Sequence, residues 1–286
     1  MTVEEAIAMD SLRKDLRLTT IVVAIASIIV FMMVNAVGKN SVVLNGTSAV
    51  FYCAVICMGL QWAAWVPASI LKTERFYDLM GGLTYLAAVG FSLWAGSQSE
   101  APSVRELVIS FLVVIWSLRL SSFLYFRIHR TGKDGRFDQL KTSPIRFLVP
   151  WTLQGLWVFL TMIVVIVINS QAGSAPELGM WDAIGLSLWI LGFGIEVISD
   201  HQKTVFNTES NNQGKWIDRG LWSYSCFTGL ERFAWVSPIF IYLLLTKISG
   251  IPILDRRGLE KWGDDPEYQK YRENTPALIP RLSKKS

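Results

Sequence analysis

Histidine and cysteine are nearly missing from this chain, with two and three copies in 286 residues. His129 and His201 alone cannot build the histidine-rich di-iron centre of a membrane desaturase. Cys53 and Cys57 lie within one apolar run and Cys226 stands in a loop, a spacing that makes neither a disulfide framework nor a zinc site. Charge is scarce as well: Asp, Glu, Lys and Arg make up 17% of residues against 51% hydrophobic, and the mean hydropathy is +0.36. A soluble domain of this length needs more polar surface, so the chain is an integral membrane protein. Internal repeats, low-complexity tracts and flexible linkers are absent, so residues 1–286 read as a single domain. No short apolar stretch with a small-residue cleavage site opens the chain, and the first apolar segment is expected to stay as an anchor.

The apolar runs show no period-two alternation, and lipid offers no partners for an open sheet edge, so they are helices. Runs with few or no charges cover Leu18–Val37, Ala49–Ile70, Leu79–Leu93, Leu107–Phe126, Phe147–Ile168 and Met180–Ile198. Several approach the ~20 residues that span ~30 Å of hydrocarbon. Phe233–Ile248 is a shorter seventh candidate that contains Pro238. The expected fold is thus an all-α polytopic membrane bundle of six to seven helices, with a cap of loops and tail. A short helix is predicted over Pro266–Arg272.

Basic residues alternate by loop. They gather before the first helix (Arg13, Lys14, Arg17), after the second (Lys72, Arg75) and between Arg127 and Arg146, while Gly96–Val104 and Asn169–Gly179 hold no Lys or Arg. The positive-inside rule then predicts cytoplasmic placement of the N-terminus, the Arg127–Arg146 loop and a Ser199–Arg232 loop, in the endoplasmic reticulum if the source is eukaryotic. The net charge of +4 follows this sidedness, and nucleic acid is not an expected partner; membrane lipids are. Asn45-Gly46-Thr47 is a formal glycosylation acceptor too close to the membrane for use. One full crossing by Phe233–Ile248 would place the basic tail on the wrong side, so either that segment is re-entrant or a crossing is missing before it.

Three groups of polar residues could carry chemistry. Glu196, Asp200 and Lys203 fall on or near one helical face at the end of the sixth apolar run. They are either a helix end entering solvent or a cofactor site in which Asp200 meets ribose or adenine and Lys203 neutralises phosphate. Arg119 lies inside an apolar span, where a guanidinium must face protein, water or an anion; an ion pair with Asp78 or Glu74 and a cofactor contact are both open. Glu74 and Asp78 are expected on one face with Tyr85 two turns on, an acid and a phenol able to polarise a carbonyl and deliver a proton, or else a charged membrane boundary with an interfacial tyrosine. Gly192-Phe193-Gly194 lies in an apolar helix without a preceding strand and is no dinucleotide fingerprint.

Read in order, ERFYDLMGGLTYL (Glu74–Leu86), WSLRLSSFLYFR (Trp116–Arg127), DHQKTVF (Asp200–Phe206), DRGLWSYS (Asp218–Ser225) and the tail from KISGIPILDRR to PALIP resemble the steroid 5α-reductase superfamily, in its branch of DUF1295-type membrane proteins. The resemblance covers nearly the whole chain. It implies a helical bundle that holds NADPH at its cytosolic side and reduces a carbon–carbon double bond conjugated to a carbonyl in an apolar, sterol-like lipid. It further implies that Asp200, Lys203 and Tyr224 belong to the cofactor loop and that Arg256 is the tail arginine; Arg119 joins them as a candidate. Glu74 and Tyr85, with Asp78 behind them, are the candidates for the acid and the tyrosine.

The chain departs from that pattern after Ser225. The family there continues Arg-His-Pro-Asn-Tyr-Phe-Gly-Glu and then crosses the membrane again, whereas Cys226–Trp235 reads CFTGLERFAW. The missing crossing would also restore the charge-rule parity, so both lines point to a deletion or a skipped coding segment here. Two other readings follow: a catalytically inactive scaffold that binds lipid or a partner, and an isoprenylcysteine-methyltransferase-like enzyme that uses S-adenosylmethionine.

Overall fold

The computed structural model describes residues 3–132, 134–172, 178–212, 215, 217, 219–223 and 264–274. Among these, six helices are long and apolar enough to cross a membrane. They are α1 (Val3–Val37), α2 (Ala49–Ile70), α3 (Tyr77–Ser97), α4 (Val104–Thr131), α5 (Pro144–Asn169) and α6 (Met180–Thr208), followed by the short α7 (Pro266–Asn274). The protein is the all-α polytopic bundle expected. Contacts divide the chain into two compact units, Met1–Leu178 and Gly179–Ser286. Phe233–Ile248 and Cys226–Trp235 lie outside the described residues.

Local chemistry sets the boundaries. Ser48 accepts the Phe51 N–H and starts α2, while Ser103 and Glu106 form a reciprocal capping box at the start of α4. Ser143 caps α5 with Pro144 at its first turn, and Asp265 accepts the Glu267 N–H ahead of α7. Helix α1 runs 35 residues, well beyond the apolar run that begins at Leu18. No Pro or Gly interrupts its charged first half, where Lys14 pairs with Asp10 one turn back at 2.6 Å. Helix α6 likewise extends past its apolar run, so Ser199–Thr208, expected in a loop, is helical.

Between α1 and α2 a two-stranded antiparallel hairpin, β1 (Val43–Leu44) and β2 (Thr47–Ser48), turns at Asn45 and Gly46, both at positive φ (49° and 79°). This Asn-Gly pair suits a type I′ turn. The formal glycosylation triplet therefore doubles as a hairpin tip. The hairpin base is tied to the end of α5, where Val42 N–H donates to Ser170 O at 2.7 Å.

In the first unit α5 lies at the centre, packed against α1, α2 and α3, with a smaller contact to α4. One core cluster joins Cys53 and Cys57 of α2, Tyr85 and Val89 of α3, and Phe159, Met162 and Ile166 of α5. A second gathers Ala64 and Ala68 of α2 with Phe147 and Trp151 of α5 and Phe137 of the α4–α5 connection. Close approach depends on small residues, as expected for packed membrane helices. A Cβ at Gly155 would stand 3.0 Å from the Cys57 carbonyl oxygen, and one at Gly82 would overlap Ser121 of α4. The polar interior is cross-linked: Gln61 Nε2 donates to Thr84 Oγ1 at 2.8 Å, and Asn169 Nδ2 donates to Ser92 and Ser110 at 3.1 and 2.9 Å.

Candidate functional site

The residues singled out by the sequence fall into two places, one in each unit. In the first unit they sit where α2 ends, α3 begins, α4 ends and α5 begins. Glu74 precedes α3, whose first residue is Tyr77, so it does not share a helical face with Asp78 as expected. The turn through Leu71–Phe76, entered with Lys72 at positive φ (48°), keeps the helix from starting sooner. Glu74 is 4% exposed, accepts the Asp134 N–H at 3.0 Å and pairs with Lys141 at 2.9 Å. Asp138 also reaches Lys141, at 3.1 Å. The α4–α5 connection is thereby clasped onto the α2–α3 turn, with Phe137 buried beneath it.

Electrostatics holds this clasp in its charged form. Burial opposes the ammonium of Lys141, yet its hydrogen bonds to Glu74 and Asp138 prevail and raise its pKa above the ordinary lysine value. Burial also opposes the carboxylate of Asp134, but the hydrogen bonds and charge of Arg136 outweigh it and hold the carboxyl below the ordinary aspartate range. Asp78 pairs with Arg127 at 3.9 Å, so the two acids meet Arg127 and Lys141 rather than Arg119. The Arg119 guanidinium sits 5.4 Å over the Phe123 ring.

Tyr85 lies deeper along α3, about 12 Å beyond Tyr77 at 1.5 Å per residue. Its phenol is 2.8 Å from Thr161 Oγ1. Thr161 spends its own proton on the Trp157 carbonyl at 2.8 Å, so the phenol is the donor to Thr161. The ring stands edge-on to Trp116 at 4.9 Å. Glu74 and Tyr85 are thus separated along the bundle and each holds a partner; Asp78 is the acid nearer the phenol in sequence and on the same helix.

In the second unit the structure joins two motifs that are separate in sequence. The DHQKTVF segment forms the last turns of α6, and the RGLW segment folds back onto it. Gln202 Oε1 accepts the Leu221 N–H at 2.9 Å, and Trp222 Nε1 donates to Ser199 O at 3.0 Å. Lys203 Nζ stands 4.5 Å from the Trp222 ring centre and the Arg219 guanidinium 5.2 Å from that of Phe206. Gly220 makes this return possible: its φ is +66°, and a Cβ there would come within 2.5 Å of Gln202 Oε1. A cavity of about 340 Å³ opens beside the junction, lined by His201, Gln202, Phe206, Glu209, Arg219 and Gly220 among others.

Asp200 and Lys203 do not line that cavity. They lie with Glu196 on the flank of α6, where Lys203 meets Trp222. Tyr224 and Arg256 lie outside the described residues. Gln202, Arg219 and Gly220 were missed by reasoning from charge and periodicity; the signal present in the sequence was the Arg-Gly pair directly before Leu-Trp, since a glycine there invites a positive φ. Among the described residues no group of three or more His, Cys, Asp or Glu could hold a metal ion.

Comparison with known proteins gives one result. A family model described as "Protein of unknown function (DUF1295)" matches residues 64–228 and 226–275, which includes both sets of residues described above. No curated protein and no solved structure matches.

Proposed function

Because the chain belongs to the DUF1295 family, we propose that it is a membrane reductase by descent, which uses NADPH to reduce a carbon–carbon double bond conjugated to a carbonyl in an apolar, sterol-like lipid. The observation that carries this reading is the junction of the DHQK and RGLW segments, two elements of the superfamily resemblance separated in sequence and hydrogen-bonded together at the end of α6. The residues gathered there suit a nucleotide. Arg219 offers a guanidinium at the cavity wall, a charge that suits a phosphate, and Lys203 adds an ammonium on the flank of α6, against Trp222. His201, Gln202 and Glu209 can meet ribose hydroxyls. At about 340 Å³ the cavity is at the small end of ligand pockets and suits one nucleotide half of the cofactor.

When bound, NADPH supplies the hydride. The protein's part is to orient the lipid carbonyl and provide a proton. Tyr85 is the proposed phenol, which must exchange Thr161 for the carbonyl oxygen, and Asp78 is the proposed acid. Glu74 is committed to Lys141 and the Asp134 amide, and we assign it a structural part. Asp200 on the α6 flank is assigned to ribose or adenine; Tyr224 and Arg256 are carried by the resemblance, and Arg119 stands as a cofactor candidate from its place inside an apolar span.

One observation favours a second reading, an inactive scaffold. The family match falls into two pieces that meet at 226–228, the point where the sequence leaves the Arg-His-Pro-Asn-Tyr-Phe-Gly-Glu pattern. Titration of NADPH into the full chain in detergent, followed by tryptophan fluorescence and thermal shift, separates the two. Low-micromolar binding that weakens about tenfold in Lys203→Gln and in Arg219→Gln, the loss of one charge-assisted hydrogen bond each, supports the reductase. Binding only by a chain with the motif and its helix restored would establish the scaffold reading, and stabilisation by S-adenosylmethionine in place of NADPH would refute both.

A further inference from the structure

Where α6 ends, the chain turns back through Ser210–Asn212, and Asn212 sits there at 7% exposure with both amide protons engaged. Nδ2 donates to the Phe206 carbonyl at 3.1 Å and to Glu209 Oε2 at 2.6 Å. The first bond satisfies a carbonyl that the helix end leaves open, and the second engages a carboxylate. Turning the amide over would set its oxygen against both acceptors, so its orientation is determined. The backbone closes the same turn: Asn212 N–H donates to Glu209 O and Lys215 N–H to Asn212 O, each at 3.0 Å. The amide oxygen is left for Arg219, whose Nη2 donates to it at 3.4 Å.

Glu209 and Arg219 both line the cavity at this junction, yet they do not pair with each other: Asn212 takes the acid with its nitrogen and the guanidinium with its oxygen. A guanidinium in direct contact with Glu209 would turn its fork to the carboxylate and have its charge offset there. Kept apart, it has that charge for an anion. The Phe206 ring, 6% exposed, lies beneath it at 5.2 Å, a contact that limits its swing while leaving its edge donors open. We propose that Asn212 is a positioning residue, which keeps Arg219 from pairing with Glu209 and, with the Phe206 ring, holds the guanidinium ready for a phosphate group in the cavity. This rests on the reading of the cavity as a nucleotide site.

The test is calorimetric titration of ADP and of adenosine, a pair that differs only in its phosphates, into the full chain in detergent. The wild type should bind ADP about tenfold more tightly than adenosine, and Arg219→Gln should abolish that preference. Asn212→Ala should weaken ADP binding by about three- to tenfold and leave adenosine unchanged. Phe206→Leu should lower the ADP preference likewise, and it carries the test should Asn212→Ala not fold. In the Arg219→Gln background neither substitution should weaken ADP binding further, because the group they position is gone. A wild type with no preference for ADP, undiminished ADP affinity in Asn212→Ala, or an equal loss with and without Arg219 would overturn the proposal, the last by making Asn212 a helix-end support only. NADPH separates this from the reading it rests on. An ADP preference that depends on Asn212, in a chain that does not bind NADPH, would refute the reductase reading and keep the proposal; NADPH bound equally by the wild type, Asn212→Ala and Phe206→Leu would do the reverse.

Discussion

Glu74 is the residue at which the structural and catalytic assignments part most sharply, and its replacement separates them. Glu74→Ala removes the acceptor of the Asp134 N–H and the nearer of the two carboxylates at Lys141. Breaking a fully buried ion pair costs about 3–5 kcal/mol, and losing a hydrogen bond to a charged group about 1.5–3. The Lys141 side chain is 22% exposed and keeps Asp138 at 3.1 Å, so the pair term falls below that range, to about 0.5–1 kcal/mol, and the hydrogen bond sits at the low end of its own. We expect a net loss of about 2–3 kcal/mol, or a fall in Tm of roughly 5–10 °C for a chain of this size. Glu74→Gln retains an oxygen for the Asp134 amide and should lose about half as much. The assay is thermal unfolding in detergent beside NADPH-dependent turnover of an enone. Turnover measured well below Tm should survive in Glu74→Gln. A Glu74→Gln protein that melts like the wild type yet has lost all turnover would refute the structural assignment and return Glu74 to the active site.

Gly220→Ala forces a residue with a Cβ to φ +66° and against Gln202, at about 1–2 kcal/mol for the backbone plus about 1 for the Leu221 hydrogen bond; hydrogen exchange at the Leu221 amide should quicken, and unchanged protection would contradict the described junction. In the α3–α4 contact, Gly82→Ala should lower Tm and Ser121→Gly should restore part of the loss, since Ser121 is the group that the new Cβ meets; no recovery in the double variant would mean that the two helices do not touch there. The clasp should respond to pH at both extremes. Asp134 has a lowered pKa, so its contribution is present above the ordinary aspartate value of 3.8 and fades as pH falls through the folded value. Lys141 has a raised pKa, so its contribution is complete below 10.5 and fades as pH rises through the folded value. Lys141→Met should flatten the alkaline limb of the Tm–pH profile and leave the acid limb in place.

The helices were legible in the sequence wherever lipid alone sets their limits. Ala49–Ile70 matches α2 residue for residue, because Ser48 caps one end and the apolar run stops with the helix at the other. Hydropathy fails where a helix leaves the membrane without a breaker: α1 begins well before Leu18, and α6 carries DHQKTVF to Thr208 on a face that no apolar scan detects. Site geometry was less visible because its determinants are distant in sequence. Helical spacing put Glu74 with Asp78, but the turn at Lys72 and the ion pair from Lys141, which comes from another loop, decide where that carboxylate goes. The Gln202–Leu221 bond could not be inferred from periodicity, since it depends on a chain reversal that only Gly220 betrays. Asn169 reads as the polar end of an apolar run, and only the serines of two other helices make it an interior residue.

Helix α5 is the last of the five helices of the first unit to be synthesised, yet α1, α2 and α3 all pack on it, and α1 touches it more extensively than it touches α2. The nascent bundle therefore lacks its keystone until residue 169 has left the ribosome. At about 5–20 residues per second, α1 waits on the order of 7–25 s in the bilayer for its main partner. During that interval Tyr77 has been inserted without Gln154, and Glu74 waits without Asp134 and Lys141 of the α4–α5 connection. A ribosome stalled before Pro144 should thus yield a product that is membrane-inserted and protease-sensitive, and release of the stall should lock α1 to Ile145 through the Thr19 hydroxyl.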